Sequence, residues 1–473
     1  MLGCGAFLIG LVVGRRVGIS GWLVLASLPC ALVALHRRTR LAVVWVVLVG
    51  LLLGTWRGMV YMQQLRPYKM LARHAVVFMA TADADAVYGT KSQLSFAVRN
   101  VHITYPRSYD VPGTVKVSGF GETMVYRGDR LEVQGSLYPT RGASQATVSF
   151  AQLHKVGGSS TVIDTLRRKF TAGTQTALPE PLASFGLGLL IGQRNTLPEA
   201  LTQALLMVGL THIIAVSGYN LTILLEACRR LIGERSKVAS TVTASVLIGG
   251  FLLIAGTSAS IVRAAVVSVL GLSAWYYGRQ VRPTLLILLA AVGTAYANPV
   301  YIWADISWYL SFLAFYGVLV LAPNVTHRLC GKKEPHMLLQ IAIESVCAEI
   351  MTLPLILYIF GQMSLVSLLA NVLVAAFIPL AMLLSFVAGL AGMLASGIAG
   401  WLAWPARLLL TYMVDVVNML SRIPYVFQQN KYLTVVDMIL FYTFVVIITA
   451  MSYVLQRRRP ALAMGSTEVI TTP

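Results

Sequence analysis

The chain has 473 residues, of which 57% are hydrophobic and 12% are charged, and its mean hydropathy is +0.74. Soluble globular domains contain about 25% charged residues. The composition therefore excludes an ordinary soluble enzyme and indicates a polytopic α-helical membrane protein. The formal net charge is +19. Because Lys and Arg accumulate on cytoplasmic loops for reasons of membrane insertion alone, this charge does not by itself identify a nucleic-acid-binding protein.

Long apolar stretches predict the membrane spans, since a spanning helix needs about 20 mostly apolar residues. The stretches at 2–14 and 18–35 are short and predict a shallow hairpin. The stretch at 364–395 is too long for one straight helix and contains Pro379, which predicts a single broken crossing. The predicted spans lie near 41–60, 203–227, 238–256, 259–277, 283–297, 303–322, 337–360, 364–395, 400–420 and 433–455.

Five basic clusters predict the orientation in the membrane, at 36–40, 229–237, 279–282, 327–333 and 457–459. Basic loops favour the cytoplasmic side. Placing all five clusters inside puts residues 61 to about 180 outside and the tail 457–473 inside. The cysteines all lie in or beside apolar spans, which predicts no disulfide framework. Neither Cys nor His spacing matches a metal site, so no metal and no cofactor are expected.

Residues 61–157 differ from the apolar segments on both sides. Short runs of alternating polarity between Gly, Pro and Asp turns predict a small extracytoplasmic β domain. The turn and strand at 127–135 is similar to one found in OB-type barrels, which bind single strands through basic grooves and aromatic side chains. Residues 61–170 contain 14 Lys and Arg against 7 Asp and Glu. The candidate nucleic-acid contacts are Phe96, Arg99, His102, Tyr105, Arg107, Lys116, Tyr126, Arg127 and Arg130. The alternative is that the aromatic residues fill the core and the charges are solvated.

Residues 158–180 form an amphipathic linker with a basic segment at 167–169. A helix of this kind at the outer surface can anchor in lipid headgroups. It can also gather phosphate groups at the mouth of a passage. Both interpretations are open.

The segment 209–221 places polar side chains inside an apolar run, where they are expensive unless they face a bundle interior or a cavity. Its sequence, Gly-Leu-Thr-His-Ile-Ile-Ala-Val-Ser-Gly-Tyr-Asn-Leu, resembles the signature of the ComEC family of competence proteins, although Asn220 stands where that family usually has His. Further elements follow in the family's order at 188–194, 258–264, 298–299, 305–312 and 352–371. The channel residues that this resemblance and the polar pattern indicate are His212, Ser217, Gly218, Asn220, Arg263, Asp305, Gln362 and Asn371.

The chemistry of a polyanion passage also follows from these residue types. Arg263 lies about one turn below the outer end of its span, where an Arg can bind phosphate oxygens bidentately, and Asp305 is its natural counter-charge. Alternatively, Arg263 extends to the membrane surface, or the two residues form a purely structural ion pair. Thr352, Gln362 and Asn371 offer weak polar sites along a passage, or they bridge helices by ordinary hydrogen bonds. His212 lies on the polar side of the 209–221 helix, or it is a satisfied structural histidine.

Two other classes of protein remain open from the residues alone. The sequence Ala215-Val216-Ser217-Gly218 approaches the Gly-x-Ser-Gly element of rhomboid intramembrane proteases, but it has no well-placed histidine base. A secondary transporter of a small anion would show internal repeats, and no clear repeat is present.

The family resemblance implies a channel in the bacterial cytoplasmic membrane that imports single-stranded DNA during natural transformation. It implies an OB-like domain at 61–157, a transmembrane channel domain at 181–456 and membrane segments at 1–60. Many relatives carry a metallo-β-lactamase-like domain, and we expect this chain to belong to the form without it, because its sequence contains no His-x-His-x-Asp-His motif. No nucleotide-binding loop is present in the sequence. The implied partners are single-stranded DNA, the lipid bilayer, an external DNA receptor and nuclease, and an internal helicase-type ATPase. No enzymatic activity is expected, and the sequence leaves the oligomeric state undetermined.

Overall fold

The computed structural model describes residues 1–36, 41–88, 93–121, 125–139, 144–158, 161–193, 196–214, 237–255, 259–279, 282–331 and 335–464. The described chain is mostly helical and contains a separate sheet domain between two helical parts. The first helical part comprises α1 (Leu2–Val13), α2 (Gly21–His36), α3 (Leu41–Gln64) and α4 (Arg66–Met70).

Glycines allow α1 and α3 to pack at very short distance. A Cβ built on Gly10 would lie 2.2 Å from the carbonyl oxygen of Leu51, and one on Gly54 would lie 2.1 Å from that of Phe7. Interfaces between membrane helices use small residues because small residues let the backbones approach. The stretches 2–14 and 18–35, predicted as a shallow hairpin, are the helices α1 and α2, and each of them packs mainly against α3. The pairing of the two with each other stays a prediction.

The described residues of the sheet domain form seven strands in one mixed sheet. They are β1 (Ala75–Ala82), β2 (Val87–Tyr88), β3 (Leu94–Tyr105), β4 (Tyr109–Val111), β5 (Val115–Phe120), β6 (Asp129–Pro139) and β7 (Ala146–Gly158). The order is β1-β6-β7-β5-β3-β2, with β4 on β3, and β3 also pairs with β1. Strands β5 and β7 are parallel, and the other pairs are antiparallel.

Alternation of buried and accessible residues fixes the inner face of this sheet, because successive side chains point to opposite faces. The core includes Phe78, Val98, Val117, Leu131 and Val148, which are all at most 1% exposed. The period-two pattern therefore predicted the sheet domain correctly.

Four helices follow the sheet domain: α5 (Val162–Ala177), α6 (Leu182–Ile191), α7 (Glu199–Met207) and α8 (Thr211–Ile214). The predicted amphipathic linker is α5, which begins with a capping box formed by Thr161 and Asp164. The span predicted at 203–227 is interrupted between α7 and α8 at Gly209, whose φ is +77°. Glycine adopts this left-handed conformation without steric cost, which permits the break.

The remaining elements are mainly apolar helices. They are α9 (Lys237–Ala255), α10 (Ala259–Tyr276), α11 (Pro283–Ala297), α12 (Val300–Ala304), α13 (Ile306–Tyr316), a π-helical segment (Gly317–Leu321), α14 (Ala322–Cys330), α15 (Met337–Phe360), α16 (Ser367–Ala375), α17 (Ile378–Leu394), α18 (Ala399–Leu402), α19 (Trp404–Ser421) and α20 (Val435–Met464). A two-stranded sheet joins β8 (Met363–Ser364) to β9 (Phe427–Gln428).

Among the described residues, three helices are long and apolar enough to cross a membrane, at Leu41–Gln64, Ile306–Cys330 and Leu339–Phe360. A fourth crossing is possible if α16 and α17 count as one span bent by 51°. This bend agrees with the broken crossing predicted at 364–395. Helices α9, α10, α11 and the apolar part of α20 are shorter.

The apolar face of α5 packs against α17. Gly173 of α5 lies so close to α17 that an added Cβ would be 2.6 Å from the backbone nitrogen of Met393. The ring of Phe170 lies against Gly389 and Phe386 of the same helix. Helix α17 therefore covers this part of the apolar face of α5. The sequence analysis had considered that face for anchoring in lipid headgroups.

Candidate functional site

Arg263 and Asp305 meet between apolar helices at the sheet-domain end of the bundle. Arg263 lies in the first turns of α10 and is 1% exposed, while Asp305 is the N-cap of α13 and is 6% exposed. Arg263 Nη1 lies 3.5 Å from Asp305 Oδ2, and Arg263 Nη2 donates to the carbonyl oxygen of Ser307 at 3.1 Å. The structure thus brings this predicted pair together and keeps the arginine side chain inside the protein.

Asp305 is held in place by the start of its own helix. Its Oδ1 accepts hydrogen bonds from the backbone N–H of Ser307 at 3.0 Å and from the Ser307 hydroxyl at 2.7 Å. Asp is a preferred N-cap because its side chain satisfies backbone N–H groups that the helix leaves unpaired. The other oxygen, Oδ2, faces Arg263.

The guanidinium of Arg263 keeps unused hydrogen-bonding capacity. Among the described residues, its Nε and Nη1 atoms and the Oδ2 atom of Asp305 have no hydrogen-bond partner. A guanidinium presents donors in a fixed fork that matches phosphate and carboxylate oxygens. The guanidinium can therefore donate to a further anionic oxygen while it stays paired with Asp305.

Several contacts place this site next to the sheet domain. Tyr301 of α12 lies near Arg263 and Asp305, and also near Asp83 of the sheet domain. Arg127 of the sheet domain donates to the carbonyl oxygen of Leu253, near the end of α9. The Arg263 site therefore lies at the ends of α9 and α10 that face the sheet domain.

The Asn298-Pro299 element also joins the helices to the sheet domain. Asn298 Oδ1 accepts hydrogen bonds from the Tyr61 hydroxyl at 2.9 Å and from the backbone N–H of Val300 at 3.2 Å. Gln145 of the sheet domain donates to the Tyr61 hydroxyl. The element thus fixes the connection between α11 and α12 beneath the sheet domain.

A second polar cluster surrounds the start of the 209–221 segment. A Cβ on Gly209 would lie 2.8 Å from that of Ser367, so α16 approaches this turn closely. Ser367 donates a hydrogen bond to the carboxylate of Glu349 in α15. Asn371, one turn after Ser367, is 9% exposed. His212 Nδ1 lies 3.1 Å from the carbonyl oxygen of Gly209.

The sequence analysis missed Glu349. It lies inside the span Leu339–Phe360, where an ionisable residue normally faces the protein interior or a passage. Two carboxylates in one apolar stretch, Glu344 and Glu349, were a usable signal. Gln362 precedes β8 and is half-buried, and among the described residues no hydrogen bond joins it to this cluster. Ser217, Gly218 and Asn220 lie outside the described residues.

The predicted contacts of the sheet domain divide into buried and accessible residues. Phe96 is 5% exposed and belongs to the core, so it cannot stack on a base while the domain stays folded. Arg99 pairs with Asp83, and His102 pairs with Asp110. The accessible candidates are Tyr105, Arg107, Lys116 and Arg130.

Arg127 and Tyr126 lie instead at the interface between the sheet domain and α5. Arg127 pairs with Asp164 at 3.8 Å, and Arg167 of α5 pairs with Asp85 at 2.9 Å. Arg168 pairs with Asp129 at 3.4 Å, and its guanidinium lies 4.8 Å from the centre of the Tyr126 ring. Burial lowers the pKa of Arg167, and Asp85 opposes that shift. We call this set of contacts the α5 ion-pair network.

The model of the family described as "Competence protein" matches residues 189–455, which is more than half of the chain. This protein belongs to the competence protein family. The matched region contains α9 to α19 and both polar clusters, whereas the sheet domain lies before it.

A curated relative gives the same assignment. ComE operon protein 3 of Bacillus subtilis (strain 168) is 25% identical over 227 residues, which cover 47% of this chain and 28% of the relative. The matched part thus spans less than a third of that relative. No solved structure matches the chain. Competence family membership indicates a role in DNA uptake and does not favour the protease or the small-anion transporter.

Proposed function

We propose that this competence protein is a channel in the bacterial cytoplasmic membrane that imports single-stranded DNA. The observation that carries the proposal is the buried Arg263–Asp305 pair at the sheet-domain end of apolar helices, whose guanidinium has donors without a partner in the part of the chain that the structure describes. Asp305 offsets part of the positive charge of Arg263. A polyanion would then be attracted without being trapped, as conduction through successive weak sites requires.

We further propose that the sheet domain is an OB-type domain outside the membrane. Five strands pair in the sequence β1, β6, β7, β5 and β3, and β3 also pairs with β1. This order supports the five-stranded, partly open barrel of the OB fold. The α5 ion-pair network would hold this domain over the Arg263 site. Strand passage would then begin at the domain and continue between the helices.

Other proteins would supply the energy for translocation and would convert the duplex to a single strand. We propose an external DNA receptor, an external nuclease that removes the second strand, and a helicase-type ATPase inside. The second polar cluster, with Glu349, Ser367 and Asn371, would line or close a later part of the passage.

A deletion strain tests the proposed function directly. Labelled duplex DNA is added to competent cells, and surface-bound and internalised label are measured separately. The channel predicts normal surface binding and internalisation reduced to background, with recovery when the gene is restored. Normal internalisation in the deletion strain would contradict the channel. Loss of surface binding would indicate a receptor instead.

Reporter fusions test the orientation. A fusion at Gly142 should report outside, whereas fusions at Lys332 and after Arg459 should report inside, because basic segments remain in the cytoplasm. The ends of α9 and α11 that meet the sheet domain lie opposite the ends that follow basic loops, which supports this orientation. One reversed reporter would refute the proposed topology.

A further inference from the structure

Phe150 occupies an unusual position on β7. Its φ is +55°, and its side chain is 76% exposed. A bulky residue rarely adopts a positive φ, and a strained exposed residue is reason to look for a function. An apolar ring held in water by a strained backbone adds nothing to the domain core.

The pairing around Phe150 is that of a β-bulge. On β7, Ser149 and Gln152 are three positions apart, whereas their partners on β6, Ser136 and Gln134, are only two positions apart. The parallel pairing with β5 shifts at the same place, between Ser118 and Gly119. A bulge adds one residue to a strand and re-aims a side chain. Ser149 and Phe150 are therefore consecutive residues that both avoid the core.

Four serines lie side by side across the accessible face next to this ring. Ser136 pairs with Ser149, Ser149 with Ser118, and Ser118 with Ser95, so that one row crosses β6, β7, β5 and β3. We call it the serine row. All four side chains are partly accessible. The Ser118 hydroxyl lies 3.4 Å from that of Ser95, to which it donates.

The neighbouring row supplies a cation and a second ring. Lys116 and Tyr138 both pair with Thr147, on opposite sides of β7. Lys116 is exposed, and Tyr138 is 41% exposed. Neither this row nor the serine row contains Asp or Glu. The face thus combines stacking rings, hydroxyl donors and one positive charge.

We propose that this face binds single-stranded DNA, with one base stacked on Phe150 and the adjacent phosphates on the serine row and Lys116. The proposal deepens the proposed function and rests on it for the identity of the strand. Stacking on an aromatic ring is tolerant of sequence but requires an unstacked base, which selects single strands over duplex. Serine hydroxyls are common partners of phosphate and sugar oxygens. With Lys116 as the cation, binding is weak enough to release the strand onward.

Crosslinking with the purified full chain in detergent tests the proposal. Binding of a fluorescent oligothymidine that carries one 5-iodouracil is measured by anisotropy at low salt. The complex is then irradiated, and the crosslinked peptide is identified by mass spectrometry. We expect the crosslink on Phe150 and an affinity that falls as salt rises. A crosslink confined to other residues, or equal binding of the matching duplex, would overturn the proposal.

Three variants separate the ring from the backbone strain. Phe150→Asn removes the ring, but asparagine tolerates a positive φ, so the melting temperature should stay unchanged. Its affinity for the oligothymidine should fall at least about fivefold, which is about 1 kcal/mol. Phe150→Tyr should bind as the unchanged protein. Tyr425→Asn is the matched control, because Tyr425 is 84% exposed and has a φ of +62° outside the sheet domain. It should bind normally.

Wild-type binding by Phe150→Asn would overturn the proposal, even if the deletion strain fails to import DNA. Conversely, normal import by the deletion strain together with a Phe150 crosslink would refute the channel and leave the binding face intact. A change in oligomeric size of Phe150→Asn with unchanged DNA binding would show that the face contacts a second copy, which also overturns the proposal.

Discussion

Two regions of this protein bury arginine, and they use it differently. In the α5 ion-pair network, Arg167 meets Asp85 at 2.9 Å, and Asp164 both caps α5 and pairs with Arg127. Between the apolar helices, Arg263 meets Asp305 at 3.5 Å and leaves Nε and Nη1 without a partner among the described residues.

The two regions differ in how many carboxylates surround the arginines. The network joins a sheet domain to a helix and has several carboxylates, although Nε of Arg167 also lacks a hydrogen-bond partner among the described residues. Within the described part of the chain, Arg263 has one carboxylate, and the N-cap of α13 uses one of its two oxygens. A cation with spare donors in an apolar surrounding has a strong tendency to take up an anion, because unsatisfied buried polar groups are costly. We therefore propose that the first region holds the sheet domain against α5 and that the second takes part in conduction.

The largest expected effect concerns Arg263. Arg263→Glu should lower DNA internalisation about 100-fold and Arg263→Gln about tenfold, because like charges repel strongly in a low dielectric and loss of the cation removes the phosphate contact. Protein level and surface-bound DNA should stay unchanged. Arg279→Gln, an exposed arginine after α10, is the control and should import normally.

Variants of Asp305 distinguish a conducting role of Arg263 from a purely structural ion pair. If the pair is only structural, the double variant Arg263→Gln and Asp305→Asn should recover import, because removing both partners leaves no buried charge unpaired. A conducting cation predicts no recovery. Normal import by Arg263→Glu at normal expression would also remove the conduction role.

The next effect concerns the α5 ion-pair network. Asp85→Asn should lower the free energy of unfolding by about 3 kcal/mol, because breaking a buried pair strands the charge of Arg167. The exchange of both charges, Asp85→Arg with Arg167→Asp, should recover part of the loss. Thermal unfolding in detergent measures both. Asp110→Asn is the control, since the Asp110 side chain is 89% exposed. An unchanged melting temperature for Asp85→Asn would show that the network does not hold the domain.

A smaller effect tests packing at the N-terminal helices, where no charge is involved. Gly10→Ala should destabilise the protein by about 1–3 kcal/mol, because the new Cβ collides with the backbone of α3. Gly5→Ala on the same helix meets nothing within 4 Å and should be neutral. Equal melting temperatures for the two variants would contradict the close approach of α1 and α3.

The smallest effect is a pH dependence of the sheet domain. Burial raises the pKa of Tyr68, whose hydroxyl donates to the carbonyl oxygen of Pro112 at 3.0 Å. A raised folded-state pKa contributes stability that is present below the unfolded value of about 10 and is lost as pH rises above it. Tyr68→Phe should therefore cost about 1 kcal/mol at pH 8. The difference between the two proteins should shrink at pH 11. A constant difference in denaturant unfolding would refute this assignment.

Local patterns in the sequence determined much of this architecture. Apolar stretches indicated the membrane class, and period-two alternation located the sheet domain, because both depend on the environment of a single element. Pro379 and the length of 364–395 indicated the bend between α16 and α17. The opposite charges of Arg263 and Asp305 indicated that the two residues pair, because apolar helices offer few other partners for a charged side chain.

Tertiary structure decided which candidates are accessible. Phe96 and Phe150 are both aromatic residues of β strands, yet the first lies in the core and the second is exposed at a bulge. Arg127 meets Asp164 across 37 positions of the chain. Glu349 meets Ser367 only because α16 folds back against α15. Strand register, bulges and contacts between distant elements depend on three-dimensional packing, and no local periodicity specifies them.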